Sequence, residues 1–479
     1  MRTAIIGGGI AGLAAAYELE TARTAGAAAE YTLFEAGPRL GGVLSSQIVQ
    51  GAVIERGPDS FLSEKAAGAE LCRDLGLGDD LVLSNDVARK TYVVVHNRLV
   101  PLPDGLMFMV PTKLVPTAMT PLFSMKTKMR MAIELMLRPR SSNADESVAA
   151  LVERHFGAEV VDRLVDPLLS GIYGGDAAQL SARTVLSRMV EMEARYGSLT
   201  RGMLTAHKQM RARAAQNGAR PAPRPVFTTL RGGMQQLVDA LEARIDAALV
   251  RRSTAVRGLE KSASGWKVIA GDTSGLYDAV ILASPAWAAA EMLGGIDRSL
   301  SHELSSIPYS SSITVNLIYD EGKIGHLPDG FGFLVPTSEG RSMLACTFVH
   351  RKFLGRTPKG KAVLRAFLGG VKNEALLAVS DGELLAMVQR ELSEIMGAHV
   401  IAQNADPEYA QVSRWRRAMA QYAVGHQERM RRVQDRLQAL PGLQLAGNAY
   451  DGIGIPDCIR LGRQAARDLL STGARVAVH

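Results

Sequence analysis

The feature that most constrains this fold is a glycine-rich motif near the N-terminus, GGGIAG at residues 7–12. Residues 3–6 before the motif form an apolar run that predicts a buried strand, and residues 11–20 predict a helix. In such a unit the glycines allow a tight turn, close approach of the backbone to a pyrophosphate, and close packing of the helix on the strand. The motif therefore predicts a dinucleotide site at the N-terminus of the helix.

An acidic residue at the end of the next predicted strand, residues 31–35, supports this prediction. Glu35 follows Gly12 by 23 residues and can accept hydrogen bonds from an adenosine ribose, while its charge repels a 2′-phosphate. A secretory signal peptide is the alternative interpretation of the apolar N-terminus, but the glycines and Glu18 fit a strand–turn–helix unit better.

Further glycine-rich segments favour FAD over NAD. EAGPRLGG at residues 35–42 and GPDS at residues 57–60 follow the ribose carboxylate and resemble the extended motif of two-dinucleotide-fold flavoproteins. Near the C-terminus, a predicted strand within residues 443–449 precedes GIGIP at residues 452–456 and a helix from about Asp457. A strand, a glycine-rich loop and a helix N-terminus can direct backbone donors at a flavin ring.

Residues 107–224 differ from the α/β sequence on either side. They are rich in helix formers, and they contain 11 of the 19 methionines. Their 17 Lys and Arg against 10 Asp and Glu give an excess of +7, equal to the net charge of the whole chain. Two interpretations stay open: a solvated helical face, or a basic, Met-rich surface that meets anionic lipid or an anionic substrate.

Composition argues against several other classes of protein. Apolar residues make up 47% and charged residues 22%, as in soluble globular proteins. The three cysteines form no CxxC pair, so we expect neither a metal site nor a disulfide framework. No segment reaches the ~20 apolar residues needed to cross a bilayer. Aromatic residues are only 5% and do not alternate with basic runs, which argues against nucleic-acid binding.

Several motifs, taken in order, resemble one family. They are GPDSFL at 57–62, PLLSGIYGGD at 167–176, GFGFLVP at 330–336, the group RW at 414–415 with QY at 421–422 and GH at 425–426, and GIPDCI at 454–459. Together they are similar to the oxygen-dependent porphyrinogen oxidases of haem synthesis. The resemblance runs from Arg2 to about Leu470.

The resemblance implies an α/β, two-dinucleotide-binding-type flavoprotein fold, with a mixed-sheet substrate domain and a helical, membrane-facing insertion. The predicted division assigns residues 1–88, 225–295 and 411–479 to the FAD-binding domain, 89–106 and 296–410 to the substrate domain, and 107–224 to the insertion.

The resemblance also implies the chemistry. Six electrons leave a porphyrinogen, the flavin N5 takes each hydride, and O2 reoxidises the flavin to give H2O2. The sequence does not decide between protoporphyrinogen IX and coproporphyrinogen III as the substrate. No protein base is required, and His426 is predicted to be structural. We expect FAD to be non-covalent, because Cys458 lies past the C-terminal glycine-rich loop in a motif that the family shares.

The motifs and the resemblance imply two sets of site residues. The cofactor residues are Gly7, Gly8, Gly9, Ile10, Ala11, Gly12, Glu35, Arg39, Gly42, Gly57, Asp59, Ser60, Val256, Trp415, Gly452, Ile453, Gly454 and Ile455. By resemblance, Phe331, Leu334 and Phe367 sandwich the porphyrinogen ring, and Gly171 leaves room for its edge. Lys65 and Lys90 are candidates for binding the propionates.

Two other functions stay open at this point. One is another enzyme of the same superfamily, such as an amine oxidase or a carotenoid desaturase, and the other is a non-catalytic flavoprotein that binds porphyrin. The expected location is the cytoplasm, either free or peripheral on the inner face of the cytoplasmic membrane. Transfer of product to the next haem-pathway enzyme is a further expectation, and the sequence leaves a monomer or a homodimer open.

Overall fold

A computed structural model describes residues 1–107, 109–140, 144–216, 225–263 and 265–476 of the chain. Two β-sheets organise these residues. The first is parallel and consists, in spatial order, of Val250–Arg251, Glu30–Phe34, Arg2–Ile6, Ala279–Leu282 and Leu443–Leu445. Its central strands are almost continuously apolar and buried, as expected for a parallel sheet that is covered on both faces.

Helices cover one face of the parallel sheet. Ile10–Thr24 follows the glycine-rich turn and packs against the C-terminal helix Ile455–Val476. An ideal Cβ at Gly462 would lie 2.1 Å from the backbone oxygen of Ala11, so a glycine is required for the two helices to approach. The helices Ala66–Asp74 and Gln235–Glu242 extend the same hydrophobic core.

The other face carries a three-stranded antiparallel sheet and three helices, which share a second hydrophobic core. The strands are Val256–Ser262, Gly265–Ala270 and Thr273–Tyr277, and the helices are Ala286–Leu293, Arg298–Ser305 and His426–Gln438. Two smaller β-sheets connect the parallel sheet to the second large sheet of the molecule. One is the hairpin Ser46–Val49 with Ala52–Glu55, and the other is ordered Phe61–Leu62, Phe227–Leu230 and Leu81–Leu83.

The second large sheet is mixed and has seven strands. Their order is Tyr409–Ala420, Tyr309–Asp320, Lys361–Gly369, Met343–Phe348, Gly332–Leu334, Thr91–Val95 and Arg98–Pro101. Alternate residues of Lys361–Gly369, such as Leu364 and Leu368, pack into a core with the helix Asp381–Met396. The intervening residues, among them Arg365 and Phe367, lie on the opposite face of the sheet.

The helical segment packs around one core with the outer part of this sheet, because Val93 and Val95 belong to the same cluster as its apolar residues. A short hairpin, Leu106–Met107 with Val110–Pro111, leads into it. The helices are Leu114–Met119, Met125–Glu134, Val148–Phe156, Ala158–Val160, the π-helical turn Val161–Val165, Asp166–Tyr173, Ala182–Val185, Ser187–Tyr196 and Leu199–Gln216. The remaining helices are Val349–Lys352 and the 3₁₀ turns Gly78–Asp80, Asp86–Ala88, Ala247–Leu249, Thr337–Glu339 and Glu374–Ala378.

The predicted strand–helix–strand start of the chain is confirmed, and so is the α/β class of the fold. The helix predicted from about Asp457 begins at Ile455. The sequence analysis missed two long strands, Lys361–Gly369 and Tyr409–Ala420. Charged residues interrupt both strands, since Arg365, Arg414 and Arg416 occupy positions that would otherwise show a regular apolar pattern. The predicted domain boundaries stay a prediction.

Candidate functional site

The glycine-rich turn lies at the carboxyl end of the strand Arg2–Ile6. Gly7 has φ +112°, and an ideal Cβ there would lie 2.7 Å from the Ala283 oxygen. An ideal Cβ at Gly12 would lie 1.9 Å from the Gly7 oxygen. Both glycines are therefore needed for the turn and for the packing of the helix on the strand.

Gly9 differs from its neighbours in the turn. It is the N-cap of the helix Ile10–Thr24, it has no side-chain cap, and an ideal Cβ at this position would meet no atom within 4 Å. The N-terminus of the helix, with Ile10 and Ala11 in its first turn, therefore faces open space. Free N–H groups and the positive end of a helix dipole at such a position fit the pyrophosphate of a dinucleotide.

Glu35 lies beside this helix N-terminus. One carboxylate oxygen accepts the Gly8 N–H at 2.7 Å, and the other accepts the Gly37 N–H at 2.7 Å. A carboxylate has about four acceptor positions, so two are left for the hydroxyls of a ribose. The N–H of Thr254 donates to the Glu35 backbone oxygen at 2.8 Å and brings the segment that leads to Val256 alongside.

Replacing Glu35 with alanine is expected to weaken FAD binding by about 1.5–3 kcal/mol, because hydrogen bonds to a charged group contribute that much. Titration of the apoprotein with FAD, followed by flavin fluorescence, measures the change. Glu30→Ala, at an exposed position on the same strand, is the control and should leave FAD affinity unchanged. Equal FAD affinity of the Glu35 variant and the parent would contradict a ribose-binding role.

Arg39 holds the loop that crosses the helix N-terminus. Its guanidinium donates to the backbone oxygens of Leu44 at 2.9 Å, of Leu40 at 3.0 Å, and of Gly42. Burial and the nearby Arg56 lower the pKa of the Arg39 guanidinium. The surroundings of this cation therefore suit an additional anion, as a bound pyrophosphate would supply.

The loop at residues 57–60 connects the part of the molecule built on the parallel sheet to the part built on the seven-stranded sheet. An ideal Cβ at Gly57 would lie 1.8 Å from the Val43 oxygen, and the Trp415 Nε1 donates to the Arg56 oxygen at 2.7 Å. Ser60 donates to the Asp59 carboxylate at 2.6 Å. We call residues 57–60 the flavin loop, after the role that the sequence predicts for it.

Asp59 forms ion pairs with two cationic side chains from the part of the molecule built on the seven-stranded sheet. Its carboxylate lies 3.1 Å from the Lys352 Nζ and 3.9 Å from an Arg365 guanidinium nitrogen. Burial raises the pKa of the Asp59 carboxyl, but Lys352 and Arg365 outweigh it and hold that pKa well below its ordinary range. The sequence analysis did not identify Lys352 or Arg365, because neither lies in a motif.

The C-terminal glycine-rich loop is held by side chains around it. Gly452 has φ +102° and donates to the Tyr422 hydroxyl at 2.8 Å. The Gly454 N–H donates to the Asp457 carboxylate at 3.1 Å, and Ile455 begins the last helix. Ile453 packs at the margin of the second hydrophobic core, so the loop is held against the parallel sheet.

Lys65 contacts this same loop. Its Nζ lies 2.6 Å from the Asp457 carboxylate, which therefore already neutralises much of its charge. Lys90 is exposed, and its backbone oxygen accepts the Phe331 N–H at 2.8 Å, which places it next to a predicted substrate residue. The role of either lysine in binding propionates stays a prediction.

His426 occupies a structural position. Its ring stacks on Tyr422 with centroids 4.2 Å apart, and burial lowers its pKa to about 4. The imidazole is therefore neutral at pH 7 and is packed beneath the C-terminal loop.

The register of the seven-stranded sheet brings two of the predicted substrate residues, Leu334 and Phe367, into one row. Leu334 pairs with Ala345, Ala345 pairs with Phe367, and Phe367 pairs with Thr314. Directly paired residues share one face of a sheet, so Leu334 and Phe367 flank the small side chain of Ala345. At the end of the row, the Thr314 hydroxyl donates at 2.8 Å to the backbone oxygen of Arg56, the residue that precedes the flavin loop.

The other two predicted substrate residues, Gly171 and Phe331, lie outside this row. The helix Asp166–Tyr173 lies against it, because an ideal Cβ at Gly171 would be 4.0 Å from Leu334 Cδ2. Phe331 precedes the strand that carries Leu334 and is 8% exposed. Among the residues that the structure describes, Phe331, Leu334 and Phe367 lie outside the five hydrophobic clusters. Phe331 and Leu334 are nevertheless buried, whereas Phe367 is half-buried.

The parallel sheet with its glycine-rich turn is the arrangement of a dinucleotide-binding protein, and the comparisons with known proteins show that the chain is a flavin-containing oxidoreductase. The family model for flavin containing amine oxidoreductase matches residues 10–470. Coproporphyrinogen III oxidase of Bacillus subtilis is 35% identical over 98% of this chain and 97% of its own. Protoporphyrinogen oxidase 1 of Arabidopsis thaliana chloroplasts is 30% identical over 99% and 88%.

A crystal structure of a protein from Exiguobacterium sp. 255-15 matches with a TM-score of 0.85 and 30% identity, covering 98% of this chain and 99% of that one. The chain belongs to the flavin containing amine oxidoreductases and, within them, to the porphyrinogen oxidases. The family that the sequence motifs predicted is thus confirmed.

Proposed function

We propose that this protein oxidises coproporphyrinogen III to coproporphyrin III with non-covalent FAD and O2. The overall change removes six electrons and six hydrogens from the substrate, and three O2 become three H2O2. FAD supplies the electron acceptor in this chemistry. The observation that supports the proposal is the row from Leu334 to Thr314, because this row forms an apolar surface that ends beside Arg56, the residue before the flavin loop.

The shape of that row suits a flat tetrapyrrole. Leu334 and Phe367 lie two strands apart, roughly 10 Å at the usual strand spacing, with only the methyl group of Ala345 between them. A flat ring that stands on Ala345 would contact an apolar side chain on each side. The chain's own residues would thus orient the meso carbons of the substrate and exclude water from them.

The residues around Cys458 support non-covalent binding of FAD. Cys458 is buried, and its burial raises the thiol pKa to about 12. A protonated thiol is a poor nucleophile, so Cys458 is unsuited to form a bond to the flavin. Denaturing the holoprotein should therefore release all of its flavin into the supernatant.

Coproporphyrinogen III is our preferred substrate because the Bacillus subtilis relative that carries its name is 35% identical to this chain, whereas the Arabidopsis protoporphyrinogen oxidase is 30% identical. Protoporphyrinogen IX is the second candidate, favoured by the Arabidopsis relative. Initial rates of porphyrin fluorescence on both substrates, with O2 consumption recorded, distinguish them. A faster rate on protoporphyrinogen IX would reverse the choice, and oxidation of neither substrate by FAD-loaded protein would refute the function.

We also propose that the helical segment binds an anionic membrane surface peripherally. Met125, Met129 and Met136 are exposed and recur at helical spacing on and just after the helix Met125–Glu134, with Met129 63% and Met136 80% exposed. Lys126 and Arg130 are exposed on the same helix. Apolar and basic residues together favour the interface of an anionic bilayer. In the described ranges, no helix is both long enough and apolar enough to span a membrane.

The double variant Met129→Asp/Met136→Asp is expected to reduce pelleting with anionic liposomes at least tenfold. Each buried methionine side chain contributes about 1.5–3 kcal/mol, and about 1.4 kcal/mol is a factor of ten. Val87→Asp is the control, since Val87 is fully exposed outside the helical segment. Binding should also fall as salt rises, because exposed charges are screened over ~8 Å at physiological ionic strength. Equal pelleting with neutral and anionic liposomes would contradict the proposal.

A further inference from the structure

Arg365 lies between the predicted cofactor site and the predicted substrate site. It belongs to the strand Lys361–Gly369, two residues before Phe367, and therefore shares a face of the sheet with it. The side chain is 3% exposed. A guanidinium that is removed from water is costly unless hydrogen bonds and opposite charge compensate it, so its contacts indicate what it does.

The guanidinium contacts the flavin loop on one side. One terminal nitrogen donates to the Gly57 oxygen, and the other lies 3.9 Å from the Asp59 carboxylate. Its Nε has no hydrogen-bond partner among the described residues. The polar contacts of this buried cation are therefore directed at residues 57–59.

On its other side the guanidinium lies over the Phe367 ring, with its central carbon 4.9 Å from the ring centroid. A cation at this distance is attracted to the face of an aromatic ring and fixes its orientation. One side chain thus touches both the loop that is predicted to bind the flavin and the ring that is predicted to bind the substrate.

We propose that Arg365 is a positioning residue that fixes the flavin loop relative to the Phe367 ring. The inference rests on the proposed function, because that function assigns Phe367 to the substrate. Arg365 sets the separation between cofactor and porphyrinogen without itself taking part in the oxidation.

Arg356 provides a matched comparison within the same interface. It is also fully buried, it pairs with Glu55 and Thr229, and its aromatic neighbour is Phe353 at 5.7 Å. Within the described residues, Arg356 makes no direct polar contact with the flavin loop; its nearest link to that loop is Thr229, whose hydroxyl donates to the Asp59 backbone oxygen at 2.6 Å. Arg356 therefore stabilises the interface in general, whereas Arg365 also connects the predicted cofactor site to the predicted substrate site.

The test compares Arg365→Lys and Arg365→Met with Arg356→Lys and Arg356→Met, all loaded with FAD. Melting temperature, the visible circular dichroism of the flavin, and KM and kcat for coproporphyrinogen III are measured. Lysine keeps the charge but loses the forked geometry, so Arg365→Lys should raise KM about tenfold and alter the flavin dichroism. Arg356→Lys should lower the melting temperature and leave KM and the dichroism at parental values.

Parental KM and parental dichroism in Arg365→Lys would overturn the proposal, whatever its melting temperature. Equal changes of KM and dichroism in Arg365→Lys and Arg356→Lys would also overturn it, because they would show a general loosening of the interface. The lysine variants decide the question if the methionine variants fail to fold. If the parent protein oxidises no porphyrinogen, the proposed function is wrong. The flavin dichroism still tests Arg365 in that case, because an unaltered dichroism in Arg365→Lys would show that Arg365 does not position the flavin loop.

Discussion

Replacing Gly9 with alanine is expected to lower FAD affinity about 100-fold while the protein still folds. An added Cβ would meet no protein atom within 4 Å, and the φ of −69° at Gly9 is accessible to alanine. Replacing an N-cap glycine by alanine costs at most about 1 kcal/mol of stability. The same methyl group would occupy the space predicted for the pyrophosphate, and a loss of about 2.7 kcal/mol corresponds to the 100-fold change.

Gly12→Ala is the matched control for this prediction. Its Cβ would lie 1.9 Å from the Gly7 oxygen, so the turn would have to move, and such overpacking costs about 1–3 kcal/mol. The melting temperature of the apoprotein and the FAD affinity should fall together in this variant. Titration with FAD and thermal melts of both apoproteins measure the two effects. Parental FAD affinity in Gly9→Ala would mean that the phosphates lie elsewhere.

Phe367→Ala is expected to reduce kcat/KM for the porphyrinogen about 10- to 100-fold with a modest loss of stability. A phenylalanine side chain contributes about 1.5–3 kcal/mol when it is buried, and here the ligand would complete that burial. Phe367 is half-buried and lies outside the hydrophobic clusters of the described residues. Kinetics and thermal melts on the same FAD-loaded preparation measure the two quantities.

Phe333→Ala provides the control for a core aromatic residue in the same sheet. Phe333 is 1% exposed, and its ring packs edge-on against Phe348 with centroids 6.2 Å apart. Truncation of such a residue costs about 3–5 kcal/mol of stability. If Phe367→Ala loses as much stability as Phe333→Ala and keeps normal specific activity, Phe367 is a core residue and the proposed substrate surface is wrong.

The sequence alone determined the cofactor-binding turn. Its residues are contiguous, and Gly7 and Gly12 are required by sterics within a short strand–turn–helix unit, so the motif at residues 7–12 carries the necessary information. Glu35 could be placed for the same reason, because the strand Glu30–Phe34 leads directly to it. The family also followed from the sequence, since its motifs occur in order along nearly the whole chain.

Only the tertiary structure decided how the proposed substrate surface is built. The row from Leu334 through Ala345 and Phe367 to Thr314 depends on strand order and register in a sheet whose neighbours are not consecutive in sequence. A slip of one residue in any of these strands would turn its side chains to the other face. Packing of the whole sheet against its helices fixes that register, and no local pattern contains it.

The sequence also could not predict which residues the charged side chains contact. Lys65 pairs with Asp457, 392 residues away, and Arg365 reaches Gly57 across 308 residues. Composition shows how many cations a chain has, but the burial and pairing of each cation depend on which segments meet after folding. Local sterics thus make the glycine-rich turn predictable from the sequence. The proposed substrate surface and the contacts of Arg365 depend instead on strand register and charge pairing, which arise only when distant segments pack.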